Sequence, residues 1–267
     1  MNASCHQAII LAAGRGSRMG ALTVEQPKCL TILAGQRLLD WQLSALATAG
    51  IEAITVVGGY HIDMLRFGSH DLIENPNWST TNMVATLRCA SKLLHAAPAI
   101  VAYSDIVYRS DHVRRLASAS GDLAITYDQQ WQGLWETRFE DPLADAETFR
   151  QQDGWLEAIG ERAKNIGEIE GQYMGLLRFT PEGWRKAEEW LSAQPADYQR
   201  RIDMTGFLRG LLTAGIAIAC VPVSGGWCEV DSGLDAERYE DRLRLIPGCW
   251  SHDWRDENPD SSVPNRG

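Results

Sequence analysis

The chain has 267 residues, 45% of them hydrophobic, enough to bury a full core as one large α/β unit or two modest ones. Its 35 acidic and 25 basic residues leave a formal net charge of −10 and a pI near 5.1, which argues against a general nucleic-acid or membrane-surface binder. Any anion site must be a local basic pocket within an acidic body. Residues 1–7 lack the basic and apolar regions of a signal peptide, and nowhere do about 18 apolar residues run together, so no membrane span is expected. Cys5, Cys29, Cys89, Cys220, Cys228 and Cys249 contain no C-x-x-C pair, and the six histidines lack metal-ligand spacing. A reduced, cytoplasmic protein without zinc is the expectation, with Cys29 and Cys228 as packing residues.

In chain order, residues 8–13 form an unbroken apolar run that predicts a buried parallel strand. The run enters Gly14-Arg15-Gly16-Ser17-Arg18-Met19-Gly20. Gly14 and Gly16 permit a tight turn whose N–H groups face an anion, and Arg15, Arg18 and Lys28 add charge suited to a polyphosphate. A dinucleotide fingerprint needs glycine where Met19 stands, and a P-loop needs Lys-Ser/Thr where Ala21-Leu22 follow Gly20. Neither motif fits. Residues 37–49 carry Leu38, Leu39, Leu43 and Leu46 at helical spacing, with Gly50 as a stop, and residues 53–57 read as a second buried strand. Strand, helix, strand makes a βαβ unit and hence a parallel sheet, in which ligands bind at the carboxyl ends of the strands.

Residues 75–82 are polar and turn-rich and lead into a helix over 83–94. Ser79, Thr80 and Thr81 are ordinary capping material, or else an amide- and hydroxyl-rich wall that can read a base edge. A third strand over 99–103 is followed by Asp105, placed to hold a hard cation or to cap the next helix. After a strand over 122–127, residues 128–172 are rich in Trp, Asp, Glu and Gly. They read as an excursion from the sheet that forms part of a pocket, or Trp131 and Trp135 simply pack as helix neighbours. A strand over 173–179 then gives way to a helix capped by Thr180, with Pro181 in its first turn. A helix over 203–214, a strand over 216–223 and a short strand through Glu229-Val230-Asp231 follow, then a helix over 234–245. Residues 250–267 are polar and expected to be a disordered tail, leaving residues 1–249 as one domain without repeat or linker.

Leu11-Ala12-Ala13-Gly14-Arg15-Gly16-Ser17-Arg18-Met19, with Pro27-Lys28, follows the signature L-A-A-G-x-G-x-R-[ML]…P-K of nucleotidyltransferases that couple an NTP to a phosphorylated small molecule. With residues 75–82, Tyr103-Ser104-Asp105-Ile106 and Glu229-Val230-Asp231-Ser232, the chain resembles the phosphocholine and phosphonate cytidylyltransferase branch of the sugar-nucleotidyltransferase-like family. The likeness runs from about residue 8 to residue 239. It implies a Rossmann-like (GT-A-like) α/β fold, a mostly parallel central sheet flanked by helices, with residues 128–172 as an acceptor-binding excursion.

The resemblance also implies roles. Arg18 and Lys28 would be catalytic. Leu11, Ala12, Ala13, Gly14, Arg15 and Gly16 would cradle CTP, with Tyr60 and Asn82 on its base side. Asp105 and Asp231 would hold Mg²⁺. Trp131, Trp135, Arg138, Asp145, Glu147, Lys164 and Tyr173 would meet the acceptor. An already ionised phosphate or phosphonate nucleophile needs no general base, so the work is positioning and charge neutralisation. The aromatic residues Trp131, Trp135, Tyr173 and Trp227 could cage a quaternary ammonium, whereas Glu136, Asp145, Glu147 and Glu229 could hydrogen-bond an amine or hydroxyl. Asp145-Ala146-Glu147 and residues 171–175 look more like the phosphonate members. A small alkylphosphonate, 2-aminoethyl- or 2-hydroxyethylphosphonate, is therefore expected ahead of phosphocholine, with inositol and sugar phosphates behind. A catalytically silent nucleotide sensor is the reading from another class, and an unrelated dinucleotide-dependent oxidoreductase is disfavoured by Met19. Homo-oligomer formation is left open.

Overall fold

A computed structural model describes residues 5–255. The first apolar run is β1 (Gln7–Ala12), and a small ribbon, β2 (Ile32–Leu33) with β3 (Gln36–Arg37), leads into α1 (Leu38–Thr48). Next come β4 (Ala53–Gly58), β5 (Asp71–Glu74), α2 (Met83–Cys89) and α3 (Ser91–Ala96). The middle of the chain forms β6 (Ala99–Tyr103), β7 (Ile106–Tyr108), α4 (Ser110–Ala117), β8 (Leu123–Asp128) and α5 (Trp131–Arg138). A hairpin of β9 (Glu147–Gln152) and β10 (Trp155–Arg162) precedes β11 (Gln172–Phe179). The last part carries α6 (Pro181–Ser192), α7 (Ala196–Arg201), α8 (Met204–Thr213), β12 (Ala219–Val223), β13 (Trp227–Glu229) and α9 (Gly233–Leu245).

Nine strands form one sheet in the order β5-β4-β1-β6-β11-β8-β12-β10-β9. β5, β4, β1 and β6 are mutually parallel, as are β8 and β12, and only β11 and β10 run against the rest. The α/β class and the mostly parallel sheet expected from the sequence are therefore present. Alternation along the strands separates two cores: Ile10, Val56 and Ile100 pack on one face, Ile9, Val57 and Val101 on the other. Among the described residues no helix is long and apolar enough to cross a membrane.

Three local expectations change. The helix over 83–94 is broken at Ala90, whose ψ of 14° takes it out of the helical ladder. Within residues 128–172, β9 and β10 extend the main sheet at its edge, turned by Asp153-Gly154 with φ of 52° and 82°, the paired positive values a two-residue hairpin turn requires. The tail expected to be disordered from Trp250 is packed through Arg255: Trp250, His252 and Trp254 are all buried. One anchor is Asp128, a fully buried carboxylate that must be satisfied, beside the bonds from Gly226 N to Ser251 O and from Arg109 Nε to Asp253 O. Asp128 accepts from Trp227 Nε1 and Gly225 N, and His252 Nε2 lies 2.9 Å from its Oδ2. Residues 256–267 lie outside the described residues.

Candidate active site

β1 delivers the glycine-rich turn to the carboxyl edge of the sheet. Gly16 adopts φ 69°, and a Cβ there would stand 2.8 Å from Lys28 Cβ, so the turn lies directly on the lysine stem. Thr23 Oγ1 and Met19 N both donate to Gly16 O and tie the turn down. Met19 is buried beneath it, which explains an apolar residue where a dinucleotide fold would carry glycine. Gly14, Gly16, Arg18, Lys28 and Asp105 share one cavity with Leu11.

The second half of the site arrives through a two-stranded ribbon. β13 pairs antiparallel with β7, and Val230 N donates to Asp105 O at 2.9 Å, so residues distant in sequence meet at one point. One carboxylate oxygen from each of Asp105, Glu229 and Asp231 lies within 4.8 Å of the others. Lys28 Nζ bridges two of them, 2.7 Å from Asp105 Oδ2 and 2.7 Å from Asp231 Oδ1. Arg18 reaches the same Asp231 oxygen at 2.9 Å from an otherwise exposed position. Arg138 donates to Glu229 at 2.9 Å and to Asp231 Oδ2 at 3.0 Å, with Asp235 3.5 Å from its Nε.

Electrostatics follows from this packing. Burial opposes the Lys28 charge, but Asp105 and Asp231 outweigh it and hold the ammonium above the usual lysine range. Burial likewise opposes the Asp231 carboxylate, and Lys28, Arg138 and Arg18 together pull it below the usual value. Glu229 is different: burial pushes it up to about 7 despite Arg138. Cys29, next to Lys28, has its thiol pushed up to about 12 by burial and is a packing residue.

Two further cavities flank the carboxylates. One is walled by Ala13, Gly14, Trp78, Thr81, Asn82 and Met83. The cap of α2 is Asn82, its Oδ1 accepting from Met83 N, and not Ser79, Thr80 or Thr81, whose expected capping role is thereby corrected; the Thr80 and Thr81 hydroxyls donate instead to Asn77 O. The other lies beside Arg18, Glu229 and Asp231 and is lined by Tyr103, Trp135, Asp145, Glu147, Gln172, Tyr173 and Asp203. Burial, with Asp203 and Asp145 nearby, pushes Glu147 up to about 7, and burial raises Asp145 too. Trp135 is 4% exposed, and its Nε1 has no partner among the described residues.

Several expected acceptor residues stand elsewhere. Trp131 is buried against Trp135 and lines neither cavity, because α5 turns it into the core. Arg138 is buried and spent on Glu229, Asp231 and Asp235, so it organises the carboxylates and does not line the cavity beside them. Lys164 is exposed beyond β10, its N–H bonded to Glu168, and does not line that cavity. Trp227 is committed to Asp128, and exposed Glu136 pairs with Gln132. On the nucleotide side, Tyr60 donates to Val24 O and carries Arg15 over its ring, and Trp78 takes the wall position instead. Sequence reasoning left out Trp78, Tyr103, Gln172 and Asp203 as site residues and gave Glu229 no metal role. Trp78, Tyr103 and Gln172 lay inside stretches singled out from the sequence, and Glu229 stands two residues before Asp231 at the end of β13, whereas Asp203 had no local signal.

The fold and this cluster of loop, lysine and carboxylates define a nucleotidyltransferase. The chain belongs to the MobA-like NTP transferase domain family, whose model matches residues 8–173, and within it to a cytidylyltransferase branch. It is 37% identical over 246 residues to the CTP:phosphoglutamine cytidylyltransferase of Campylobacter jejuni, covering 86% of this chain and 97% of that one. To the 2-aminoethylphosphonate cytidylyltransferase of Lancefieldella rimae it is 32% identical over 117 residues, 42% of this chain and 48% of that one. The inositol-1-phosphate CTP transferase structure from T. maritima superposes with a TM-score of 0.72 at 14% identity, covering 92% of this chain and 99% of that one, a likeness of fold.

Proposed function

We propose that the protein transfers CMP from CTP to a small phosphoryl acceptor whose tail carries N–H groups, an alkylphosphonate of the 2-aminoethyl type. The observation that carries this reading is the acidic cavity of Asp145, Glu147 and Asp203 opening beside Arg18 and Asp231. Glu147 is half-buried between the exposed Asp145 and Asp203, and a carboxyl that burial and those two charges push up to about 7 is a liability without a ligand. An ammonium relieves them. A hydroxyl gives one hydrogen bond, and a quaternary ammonium has no N–H to give.

In the proposed reaction an ionised acceptor oxygen attacks the α-phosphorus of CTP. The new P–O bond forms as the bond to the β-phosphate oxygen breaks, and pyrophosphate leaves with that electron pair. No proton has to be removed from the nucleophile. Arg18 and Lys28 neutralise the triphosphate and the leaving group, and the backbone from Ala13 to Gly16 cradles the phosphates. Trp78, Thr81 and Asn82 flank the base. Asp105, Glu229 and Asp231 suit a hard cation: the set is all oxygen, and Asp105 Oδ1 is buried without a partner among the described residues. When bound there, Mg²⁺ would supply positive charge against the phosphate oxygens. Arg138 and Asp235 hold the carboxylates in register for it.

A second reading takes phosphoglutamine as acceptor. One observation favours it: the likeness to the Campylobacter enzyme spans 97% of that protein. Both acceptors present N–H groups to the same carboxylates. The test is pyrophosphate release with four NTPs against 2-aminoethylphosphonate, 2-hydroxyethylphosphonate, phosphocholine and phosphoglutamine. CTP with an N–H-bearing acceptor is expected to lead. A preference for phosphocholine of about tenfold, roughly 1.4 kcal/mol in transition-state binding, would overturn the acceptor reading. Nucleotide binding without turnover of any acceptor would favour a sensor.

A further inference from the structure

Gln172, the first residue of β11, is buried and lines the acceptor cavity. Its side-chain amide reads the backbone of Glu147 on both sides: Nε2 donates to Glu147 O at 2.6 Å, and Oε1 accepts Glu147 N–H at 3.3 Å. The pair of bonds copies the way one strand reads its neighbour. Glu147 opens β9 at the edge of the sheet, where the hairpin needs such a tether. β10 is paired to β12 only at Trp155 and Ala219, at the far end of the hairpin. The near end is held to the β11 side by Gln172 and by a bridge between Phe149 and Ile169. Neither Gln172 bond uses the Glu147 carboxylate, which faces Asp145 and Asp203 and lines the cavity.

We propose that Gln172 is a positioning residue for acceptor selection: by clamping the Glu147 backbone it aims the Glu147 carboxylate at the N–H-bearing tail of the acceptor. This rests on the acceptor reading above. A charge-assisted hydrogen bond depends on tight geometry, so a loosened Glu147 loses more against an ammonium than against a hydroxyl. Gln172 touches neither the phosphoryl group nor the nucleotide in this role, so its effect belongs in the KM of one class of acceptor.

The experiment compares kcat/KM for 2-aminoethylphosphonate and 2-hydroxyethylphosphonate at saturating CTP. Wild type, Gln172→Ala and Gln172→Glu are measured, each also combined with Glu147→Gln. Gln172→Ala is expected to lower the value for the amine about tenfold, mainly through KM, with a much smaller loss for the hydroxyl and an unchanged KM for CTP. On the Glu147→Gln background the same substitution should do little more, because the two residues act as one unit. Gln172→Glu removes the donor while keeping the size, and carries the test if the alanine variant does not fold. Equal losses on both acceptors, or full additivity with Glu147→Gln, would make Gln172 a packing residue and overturn the inference. A wild type that does not prefer the amine overturns the acceptor reading itself, and the two failures are told apart before any variant is made.

Discussion

Lys28 Nζ stands 2.7 Å from Asp231 Oδ1, joining the loop after β1 to the strand that closes the site. The same nitrogen is 2.7 Å from Asp105, so a lysine ammonium sits among the carboxylates suited to a divalent cation. Lys28→Met keeps the stem packed beneath Gly16 and removes the charge. Turnover should fall by about two to three orders of magnitude, the scale of losing a preorganised group at a developing charge. Added Mg²⁺ should raise the melting temperature of Lys28→Met more than that of wild type, since a cation then relieves Asp105 and Asp231. Unchanged turnover per folded molecule would make Lys28 purely structural.

Turnover is expected to require a divalent cation. Chelation should abolish pyrophosphate release and added Mg²⁺ should restore it. Asp105→Asn and Asp231→Asn should each cost orders of magnitude in kcat while the protein stays folded, because each removes one anionic ligand without changing shape. Full activity in the presence of chelator would remove the metal from the mechanism.

Arg138 is a stability residue more than a contact residue. Arg138→Met leaves Glu229, Asp231 and Asp235 without the guanidinium that links them. Removing one partner of a buried ionic network costs about 3–5 kcal/mol, and a denaturant titration should show a loss of that order. Arg138→Lys should rescue little, because a single ammonium cannot reach three carboxylates as the forked guanidinium does. A midpoint like that of wild type would contradict this role.

The acceptor site should be sensitive to pH. Glu147 is pushed up to about 7 by burial, Asp203 and Asp145, with Arg209 opposing, so below that pH it is mostly protonated. An ammonium needs the ionised form, and binding then releases a proton. The KM for 2-aminoethylphosphonate should therefore rise as pH falls below about 7, approaching about tenfold per unit. 2-Hydroxyethylphosphonate is the control for titration of the phosphonate itself and should change less. In the free protein the sign is reversed: a carboxyl raised above its unfolded value costs stability as pH climbs from about 4.5 to about 7. Parallel KM profiles for the two acceptors would count against Glu147.

The local pattern of the chain was enough to show the strand and glycine-rich turn of the proposed nucleotide half. Residues 8–20 carry both the strand and the glycine-rich turn in one contiguous stretch, and the backbone there depends on Gly16 itself, at φ 69° and close against Lys28. Asp105 and Asp231 were legible for a related reason, as carboxylates just past buried strands. The acceptor half was not. Trp131, Trp135 and Arg138 were expected at the acceptor, or the two tryptophans as packed helix neighbours; they do pack on each other, with Trp131 in the core, Arg138 on the carboxylates and Trp135 on the cavity wall. Gln172 and Glu147 meet because β11 and the edge hairpin are brought side by side by the sheet, and Asp203 joins them from the start of α8. Residues 250–255 looked polar enough to be loose, and the groups that fix them, Asp128 and Cys228 at His252 and Gly226 at Ser251, stand on distant parts of the chain. Sequence determines what is encoded by neighbours along the chain; contacts between segments depend on which faces the folded sheet turns toward one another, and that is decided only when the whole core packs.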